Sequence, residues 1–599
     1  MEVALTKERA LRQMRNKRTS VFAALVAIAS MGLVSCGDDG GGGDGNGNAS
    51  DAEFNAALDA VFNESDEAGG TLKFGTAGDW GDSVDPGNTY YGYSWNFARL
   101  YSRALVTFKV APGKASEELV PDLATDLGEA SDKGKTWTYH LREGLKFEDG
   151  TPITSADVKY AVERSIDKKV LTLGPAYFDN MLNWPEGYRG PYKDPDVNTD
   201  SAIETPDELT VVFHLKAPFA GFDYLAQLPQ TAPVPKAKDT GAKYKEHVIS
   251  SGPYKFTTYD AGKQYVLERN DQWSADTDPI RPALPDKITV QLNMNPDDVD
   301  NQVISGDLDV DVQGAGAQPA AITKVLQDEN LKKWSDNPTL ARTWYVSIIP
   351  AVKPLDNIDC RKAIMYGVDH TGFQNAFGGP IAGGDIATTM LPPIIPGHQD
   401  FDLFPAGDDM TGDLDAAKKA LADCGMPDGF ETKMAYRNER PKEKATAEAF
   451  QQSLSRVGIK LTLQPEPDGT YFSDTCGVPK WTKENGVGLC TNGWGADWND
   501  GFGFESQIFD SRAIRESGNY NMSVNIPEVD QMLDAASNEL DKAKREQMWG
   551  EIDKRVVQDA VVYPGIYAKG LLLRSRTATN VFVSEAYQMY DYIAMGAGQ

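Results

Sequence analysis

The chain has 599 residues, of which 41% are apolar and 25% are charged. That length and that balance are typical of a globular protein with two or more domains. The net charge of −29 argues against a nucleic-acid partner and against broad adsorption to anionic lipid. The five histidines are scattered singly, so the sequence predicts no histidine-built metal site, and we expect no cofactor.

The N-terminus has the pattern of an export signal. Basic residues precede an apolar core, residues 21–33, that is too short to span a bilayer. Leu33-Val34-Ser35-Cys36 then resembles a bacterial lipobox, which predicts that residues 1–35 are removed and that Cys36 is lipidated. Glycine and aspartate follow in residues 37–48, which favours a flexible tether. The folded part is therefore expected outside the cell, held at the membrane by the lipid on Cys36.

The other four cysteines fit an oxidising compartment. Cys476 and Cys490 are close enough in sequence to pair locally, which would leave Cys360 and Cys424 as the second pair. Four cysteines allow three pairings, and these two disulfides are the predicted ones. The CxxC spacing of zinc and redox motifs is absent from the sequence.

Residues 36–69 are expected to carry the lipid, the tether and a short helical region from Phe54 to Phe62. The run Gly69–Gly75 predicts the first strand of the fold, and Asp85-Pro86-Gly87 predicts a turn. An aromatic cluster follows this turn, and it suits core packing and the lining of a cleft equally well. Its members are Tyr90, Tyr91, Tyr93 and Trp95.

Regular elements follow. Residues 136–141 alternate between apolar and polar side chains, which predicts a half-buried strand, and residues 209–215 alternate in the same way. Thr154 or Ser155 is the predicted cap of a helix between them. The second half of the chain, with further amphipathic helices and strands, is interpreted as a separate lobe.

The stretch from Thr491 to Phe504 sets two carboxylates, Asp497 and Asp500, among two indoles, with glycines between them. Carboxylates beside aromatic faces suit a ligand with a cationic amine and apolar parts. A tight turn with buried aromatic rings and capping aspartates explains the same residues equally well.

The run from Gly134 to Val158, GKTWTYHLREGLKFEDGTPITSADV, closely resembles the signature of the family 5 extracellular solute-binding proteins. These proteins serve ABC importers of oligopeptides, dipeptides and nickel chelates. Later segments are similar to further landmarks of the family, in the family's order. They are Ser251–Tyr254, Leu267–Asn270, Gly306–Asp309 and Cys360–Ile364.

The resemblance covers residues 70–599 and implies an α/β, two-lobe periplasmic-binding-protein-like fold of type II, with a hinge and an interlobe cleft. It implies lobe I at residues 70–312 plus 560–599 and lobe II at residues 313–559. It also implies a monomeric binding protein without catalytic residues, whose partner is a membrane permease. A peptide is the ligand we expect first, and sugars, opines and metal chelates are the alternatives within the family.

The resemblance also assigns candidate ligand-binding residues. In peptide binders the aspartate of a Gly-Trp-x-x-Asp motif binds the α-ammonium of the peptide, and Gly493-Trp494-Gly495-Ala496-Asp497 matches this motif. The role carries over to Asp497, with Trp494 or Trp498 packed beside the ligand. Members of the family often have Asp-Pro where this chain has Asp500-Gly501, which favours a turn role for Asp500.

Three further residues complete the candidate set. Tyr90 and Tyr93 are predicted to line the cleft. Arg440 lies near the place where some dipeptide binders hold the ligand carboxylate, and a surface role for it is the alternative.

Two other classes of function compete with binding. An extracellular hydrolase that uses Asp497 and Asp500 as paired carboxylates is the first, although the sequence contains neither a GxSxG elbow nor an HExxH helix. A surface adhesin is the second, and it explains the anchor but not a two-lobe pattern.

Cys36 yields the first testable prediction. The Cys36→Ala protein should carry no lipid, because the thiol is the expected acceptor. Metabolic labelling with a radioactive fatty acid measures this directly, and label that persists on the variant contradicts the lipobox interpretation.

Overall fold

The computed structural model describes residues 53–77, 79–80, 83–438, 440–467 and 470–598, which belong to one compact unit. Cys36, the export signal and the tether lie outside the described residues.

The strands are numbered in chain order. They are β1 (Thr71–Ala77), β2 (Val106–Phe108), β3 (Leu119–Pro121), β4 (Glu129–Ser131), β5 (Thr136–His140), β6 (Ile203–Asp207), β7 (Thr210–His214), β8 (Tyr254–Asp260), β9 (Gln264–Arg269), β10 (Lys287–Met294), β11 (Val310–Asp311), β12 (Ser335–Asp336), β13 (Thr339–Ile348), β14 (Gly384–Ile386), β15 (Glu431–Arg437), β16 (Lys460–Glu466), β17 (Val487–Gly495), β18 (Val562–Lys569), β19 (Leu572–Leu573), β20 (Val583–Ser584) and β21 (Met589–Tyr590).

The α-helices are numbered in the same way. They are α1 (Gly92–Ala98), α2 (Ser155–Arg164), α3 (Tyr177–Met181), α4 (Phe222–Ala226), α5 (Pro296–Ser305), α6 (Pro319–Gln327), α7 (Glu329–Lys332), α8 (Ile358–Gly367), α9 (His370–Phe377), α10 (Gly379–Ala382), α11 (Leu414–Asp423), α12 (Pro441–Ser455), α13 (Pro479–Asn485), α14 (Gly501–Phe509), α15 (Pro527–Asn538) and α16 (Lys542–Gln558).

A five-stranded sheet, in the order β11-β1-β10-β9-β8, forms the first lobe together with a four-stranded sheet, in the order β4-β5-β7-β6. The alternation predicted for residues 136–141 is confirmed, because Trp137 and Tyr139 point into the core and pair with Phe213 and Val211 of β7. The predicted cap is also confirmed. Thr154 caps α2 in a reciprocal capping box with Asp157.

A six-stranded sheet, in the order β14-β18-β13-β17-β15-β16, forms the second lobe. β13 lies antiparallel between β17 and β18, whereas β15 runs parallel to β16 and β17. Helix α12 packs on this sheet through Ala447, Phe450 and Leu454, which are fully buried. β17 is an interior strand of this sheet, and its C-terminal end, with the Gly493–Asp497 motif, faces the first lobe.

The two lobes have separate hydrophobic cores, and the chain crosses between them at two adjacent points. β12 pairs with β19 beside the first core, and β13 then enters the second sheet. The return follows β18, where the Gly570 amide donates to the Pro338 carbonyl at 3.4 Å. The crossings therefore differ from the expected boundaries at residues 312/313 and 559/560. Trp334 still packs in the first core, and β18 is buried inside the second sheet.

The short helix expected from Phe54 to Phe62 is replaced by turns and an isolated bridge between Phe62 and Val581. The physical reason lies in partners far along the chain. The Asn55 amide donates to the Ser335 carbonyl at 3.1 Å, and the Ala57 amide donates to the Asp336 carboxylate at 2.9 Å. These contacts fasten the segment to the first lobe and leave no helical hydrogen-bond ladder.

Both predicted disulfides are confirmed. Cys360–Cys424 joins the start of α8 to the end of α11, with the two Cα atoms 5.2 Å apart. Cys476–Cys490 ties the loop before α13 to β17, with the two Cα atoms 6.3 Å apart. The second bond closes a loop next to the strand that carries the candidate motif.

Across the ranges that the structure describes, no helix combines the length and the apolar character needed to cross a bilayer.

Candidate functional site

The candidate site is built on β13 and β17, where two glycines make room for two large side chains. Trp344 lies opposite Gly493 and Arg342 lies opposite Gly495 in the antiparallel register. A Cβ on residue 493 would come within 2.2 Å of the Trp344 ring, and one on residue 495 would come within 2.9 Å of Nη2 of Arg342. Glycine is therefore required at residue 493, where the Trp344 ring lies across the β17 backbone, whereas a side chain at residue 495 would displace the guanidinium of Arg342.

Asp497 follows the end of β17 and lies between the lobes. The Ala496 amide donates to the Ala341 carbonyl at 2.8 Å, and the Asp497 amide donates to the Gly503 carbonyl at 3.1 Å. The carboxylate accepts hydrogen bonds from two hydroxyls of the first lobe. Oη of Tyr90 donates to Oδ2 at 3.1 Å, and the Tyr177 hydroxyl donates to the same oxygen.

The loop that carries Tyr90 is held by a buried ion pair. Asp85 caps the turn before Tyr90, and its carboxylate accepts from Nη1 and Nη2 of Arg164 at 2.7 and 2.9 Å. Gly174 has a φ of +89°, and a Cβ there would lie 3.4 Å from the Gly87 carbonyl oxygen. The close approach of these two loops sets Tyr90 beside Tyr177, the first residue of α3.

The electrostatics of Asp497 are those of a charge without a counter-ion. Burial raises the pKa of its carboxyl from 3.8 to about 6, although the two tyrosine hydroxyls favour the ionised form. Burial and then the Asp497 charge raise the pKa of Tyr90 and of Tyr177 well above the ordinary value. Within the described part of the chain, no lysine, arginine or histidine forms an ion pair with Asp497. The site is therefore suited to a cation from outside the chain.

Aromatic side chains surround this carboxylate and remain accessible. Tyr90, Tyr91 and Tyr520 are 38%, 54% and 43% exposed, respectively. Tyr520 packs against Trp494 with ring centroids 5.2 Å apart, and burial and then the Asp497 charge raise the pKa of Tyr520. Faces of tyrosine and tryptophan next to a carboxylate favour an amine with an apolar substituent.

The Cys476–Cys490 disulfide supports this aromatic wall from behind. Phe472, which precedes Cys476 in the chain, packs on Tyr520 with ring centroids 5.0 Å apart. The Gly518 amide donates to the Phe472 carbonyl at 3.0 Å, and Nδ2 of Asn519 donates to the Gly477 carbonyl at 2.7 Å. The disulfide thus holds the segment that presents Tyr520.

Trp498 connects the two lobes. It comes from the chain of the second lobe but is buried in the first core, stacked on Tyr224 at 6.0 Å and edge-on to Tyr177 at 5.0 Å. Nδ2 of the adjacent Asn499 donates to Oε1 of Glu117 at 2.9 Å and to the Glu585 carbonyl at 3.0 Å. These contacts hold the lobes together next to Asp497.

The structure places the other predicted residues around the site rather than at its centre. Tyr93 is buried behind Tyr91, stacked on it at 5.6 Å, and its hydroxyl donates to the Trp80 carbonyl. Asp500 is buried and caps α14 through the Phe502 amide at 2.9 Å, the turn role that the sequence favoured.

Arg440 precedes the first residue of α12. Its side chain is 41% exposed and lies 3.9 Å from the Glu443 carboxylate.

Sequence reasoning missed Tyr177, Tyr520 and Arg342. Tyr177 lies 320 residues from Asp497 along the chain, and its α3 segment carries no family landmark. Arg342 was detectable in principle, because it is a charged residue in β13, a strand whose other side chains are largely buried.

The fold and the site define a two-lobe binding protein, with paired chain crossings and an aromatic, charged junction between the lobes. The family model of the bacterial extracellular solute-binding proteins, family 5 (middle), matches residues 118–515. The chain belongs to this family, as its sequence motifs predicted.

Relatives of known name agree with this assignment. The chain is 27% identical over 509 residues to the probable D,D-dipeptide-binding periplasmic protein DdpA of Escherichia coli strain K12, covering 84% of this chain and 89% of that protein. It is 25% identical over 457 residues to the glutathione-binding protein GsiB of the same strain, with coverages of 76% and 81%.

Solved structures share the fold. Clavulanic acid biosynthesis oligopeptide binding protein 2 superposes with a TM-score of 0.88 at 41% identity, covering 92% of this chain and 99% of that one. The DppA protein of Helicobacter pylori, in complex with the peptide STSA, superposes with a TM-score of 0.66 at 20% identity, with coverages of 89% and 99%. The predicted two-lobe fold of type II is therefore confirmed.

The raised pKa of Asp497 predicts a cost in stability. The folded state favours the protonated carboxyl of Asp497. The contribution of this carboxyl to the stability of the folded protein is therefore complete below about pH 4 and is lost as the pH rises through about 6. Asp497→Asn should therefore unfold at a higher temperature than the wild type at pH 7 and at the same temperature at pH 4. The shift corresponds to at most about 3 kcal/mol, reduced by partial exposure of the side chain.

Thermal unfolding of the ligand-free proteins from pH 4 to pH 7 measures this difference. If Asp497 served only to cap a turn, Asp497→Asn would be less stable than the wild type across the whole range.

Proposed function

We propose that this protein is the extracellular substrate-binding lipoprotein of an ABC importer, that its ligand is a peptide, and that Asp497 binds the peptide's α-ammonium. One observation carries the choice of ligand. A carboxylate lies at the junction of the lobes, held by Tyr90 and Tyr177, with a raised pKa and no ion pair to any described cation. A ligand ammonium supplies the missing charge.

The energetics favour binding by closure. An ammonium in a water-poor cleft is costly unless it is paired, and pairing with a carboxylate provides a charge-assisted hydrogen bond. The two lobes are joined by two neighbouring chain crossings, an arrangement that suits a hinge. The names of the relatives support a peptide, since they describe dipeptide, glutathione and oligopeptide binding by those proteins.

The hydrolase alternative is weaker. The Asp500 carboxylate is 4% exposed and accepts from the first turn of α14, so it is not presented to a scissile bond beside Asp497. The family of the chain consists of solute-binding proteins.

The remaining parts of the proposal concern location and partners. Lipidation of Cys36 would hold the protein on the extracellular face of the membrane, next to a permease that accepts the ligand. We propose that the protein acts as a monomer, because ligand capture needs only the two lobes of one chain.

A thermodynamic cycle tests the role of Asp497. The ligands are a pool of tripeptides with free amino termini and the same pool after N-acetylation, and native mass spectrometry measures the fraction of protein that binds each pool. Asp497→Asn should weaken binding of the free-amine pool by about 2–5 kcal/mol, which is roughly thirty-fold to several thousand-fold. N-acetylation should weaken binding to the wild type by a similar factor and should change little for the variant.

The combined loss should therefore be far smaller than the sum of the two separate losses. Asp500→Asn is the matched control, because asparagine also caps helices and the acetylation effect should remain. Strict additivity of Asp497→Asn and N-acetylation contradicts the assignment of the ammonium to Asp497.

A further inference from the structure

A small cavity lies beside the point where the chain leaves the first lobe. Trp334 precedes β12 and Arg574 follows β19, and these two strands pair antiparallel. The Arg574 amide donates to the Trp334 carbonyl at 3.1 Å, so the two residues lie opposite each other, and such residues place their side chains side by side. Both side chains line the cavity, which has room for about one particle of the size of water.

Each of these two side chains has a buried N–H group that lacks an acceptor. Nη1 of Arg574 donates to the Asp336 carboxylate, and Nη2 donates to the Lys333 carbonyl at 2.9 Å. Within the described part of the chain, neither Nε of Arg574 nor Nε1 of Trp334 has a hydrogen-bond partner, although the two residues are only 1% and 9% exposed. A buried donor without an acceptor destabilises a fold. The cavity therefore suits a ligand that accepts hydrogen bonds.

The rest of the lining favours an anion over a water molecule. None of the side chains around the cavity can accept a hydrogen bond, and besides the two donors they are Ile304, Val325, Leu331, Leu573 and Arg576. A water molecule would accept from the two N–H groups but would find no side chain to receive its own hydrogens. An anion such as a halide has no hydrogens to place and needs only donors.

The charge around the cavity is positive, although the whole chain carries a net charge of −29. Cζ of Arg576 and Nζ of Lys333 lie 5.8 and 5.7 Å from the centroid of the Trp334 ring. Asp336 balances the charge of Arg574, whereas no described carboxylate forms an ion pair with Arg576 or Lys333. Arg576 is exposed, so this side of the cavity is open to the solvent and can adjust to an ion larger than water.

We propose that this cavity binds a small inorganic anion of the size of chloride, which accepts hydrogen bonds from Arg574 and Trp334 and is attracted by Arg576. Arg574 already links β19 to β12 through Asp336, so the bound anion stabilises the place where the chain leaves the first lobe. The inference is independent of the proposed function, because it involves none of the residues around Asp497. The competing explanation is that the indole and the guanidinium only pack together.

Two measurements test the site with halide ions as the probes. In a crystal soaked in sodium bromide, the anomalous scattering of bromide should give a peak in hydrogen-bond contact with Nε of Arg574 and Nε1 of Trp334. In solution, thermal unfolding is measured at constant ionic strength while sodium chloride replaces sodium gluconate, whose anion is too large for the cavity. The melting temperature should rise by about 2 °C at a chloride concentration one hundred times the dissociation constant.

Three variants and one control separate binding from packing. Trp334→Phe keeps an aromatic ring but removes one donor, so it should lose both the bromide peak and the chloride-dependent rise. Arg576→Gln should raise the chloride concentration needed for a given rise by about two- to five-fold, whereas Arg576→Lys should keep the wild-type concentration. Trp80→Phe is the matched control. Its indole N–H also has no partner among the described residues, but its ring packs on Tyr93, and this variant should respond to chloride as the wild type does.

A wild type whose melting temperature does not depend on chloride overturns the inference, and so does an equal chloride-dependent rise in Trp334→Phe. A bromide peak in the cavity without any effect of chloride in solution also overturns it, because that combination shows an adventitious ion only. If Trp334→Phe does not fold, the difference between Arg576→Gln and Arg576→Lys decides, and equal responses of these two variants contradict the proposal.

Discussion

The hydrogen bonds from Tyr90 and Tyr177 to Asp497 join the two lobes at the point where the proposed ligand binds. Both hydroxyls belong to the first lobe and the carboxylate belongs to the chain of the second lobe, so they form only when the lobes lie close together. Burial opposes the charge of Asp497, and two neutral donors compensate for this only in part, as the raised pKa of its carboxyl indicates. The protein therefore keeps an ionisable group where the fold alone gains little from it. That cost is consistent with a group retained for binding.

The surrounding structure serves to position this group. Gly493 and Gly495 allow Trp344 and Arg342 to lie across β17, and the end of that strand directs Asp497 toward the first lobe. Trp498 then inserts its ring into the first core, which fixes the segment on the other side of Asp497. The Cys476–Cys490 disulfide acts further out, through the loop that supports the Tyr520 wall. Each of these contacts restricts the freedom of a residue near the cleft before any ligand is present, which lowers the entropy lost on binding.

The sequence was informative wherever a local pattern decides the outcome. Alternation placed Trp137 and Tyr139 in the core, and a capping box fixed the start of α2. The motif around Trp494 identified the strand that carries the site. The prediction of a helix from Phe54 to Phe62 was wrong because the hydrogen-bond partners of this segment, such as Asp336, lie hundreds of residues away in the chain. Tyr177 was missed for the same reason, since no local pattern shows which hydroxyl reaches a carboxylate across two lobes.

The central claim is that the Asp497 carboxylate binds the ligand's ammonium between the lobes. A crystal structure of the protein with a bound tripeptide tests it most directly. The account predicts that the α-ammonium nitrogen of the bound peptide lies about 2.7–3.0 Å from the Asp497 carboxylate, in the space bounded by Tyr90, Tyr177 and Tyr520. A peptide with its amino terminus elsewhere, and with Asp497 still in contact only with the two tyrosine hydroxyls, would contradict the claim.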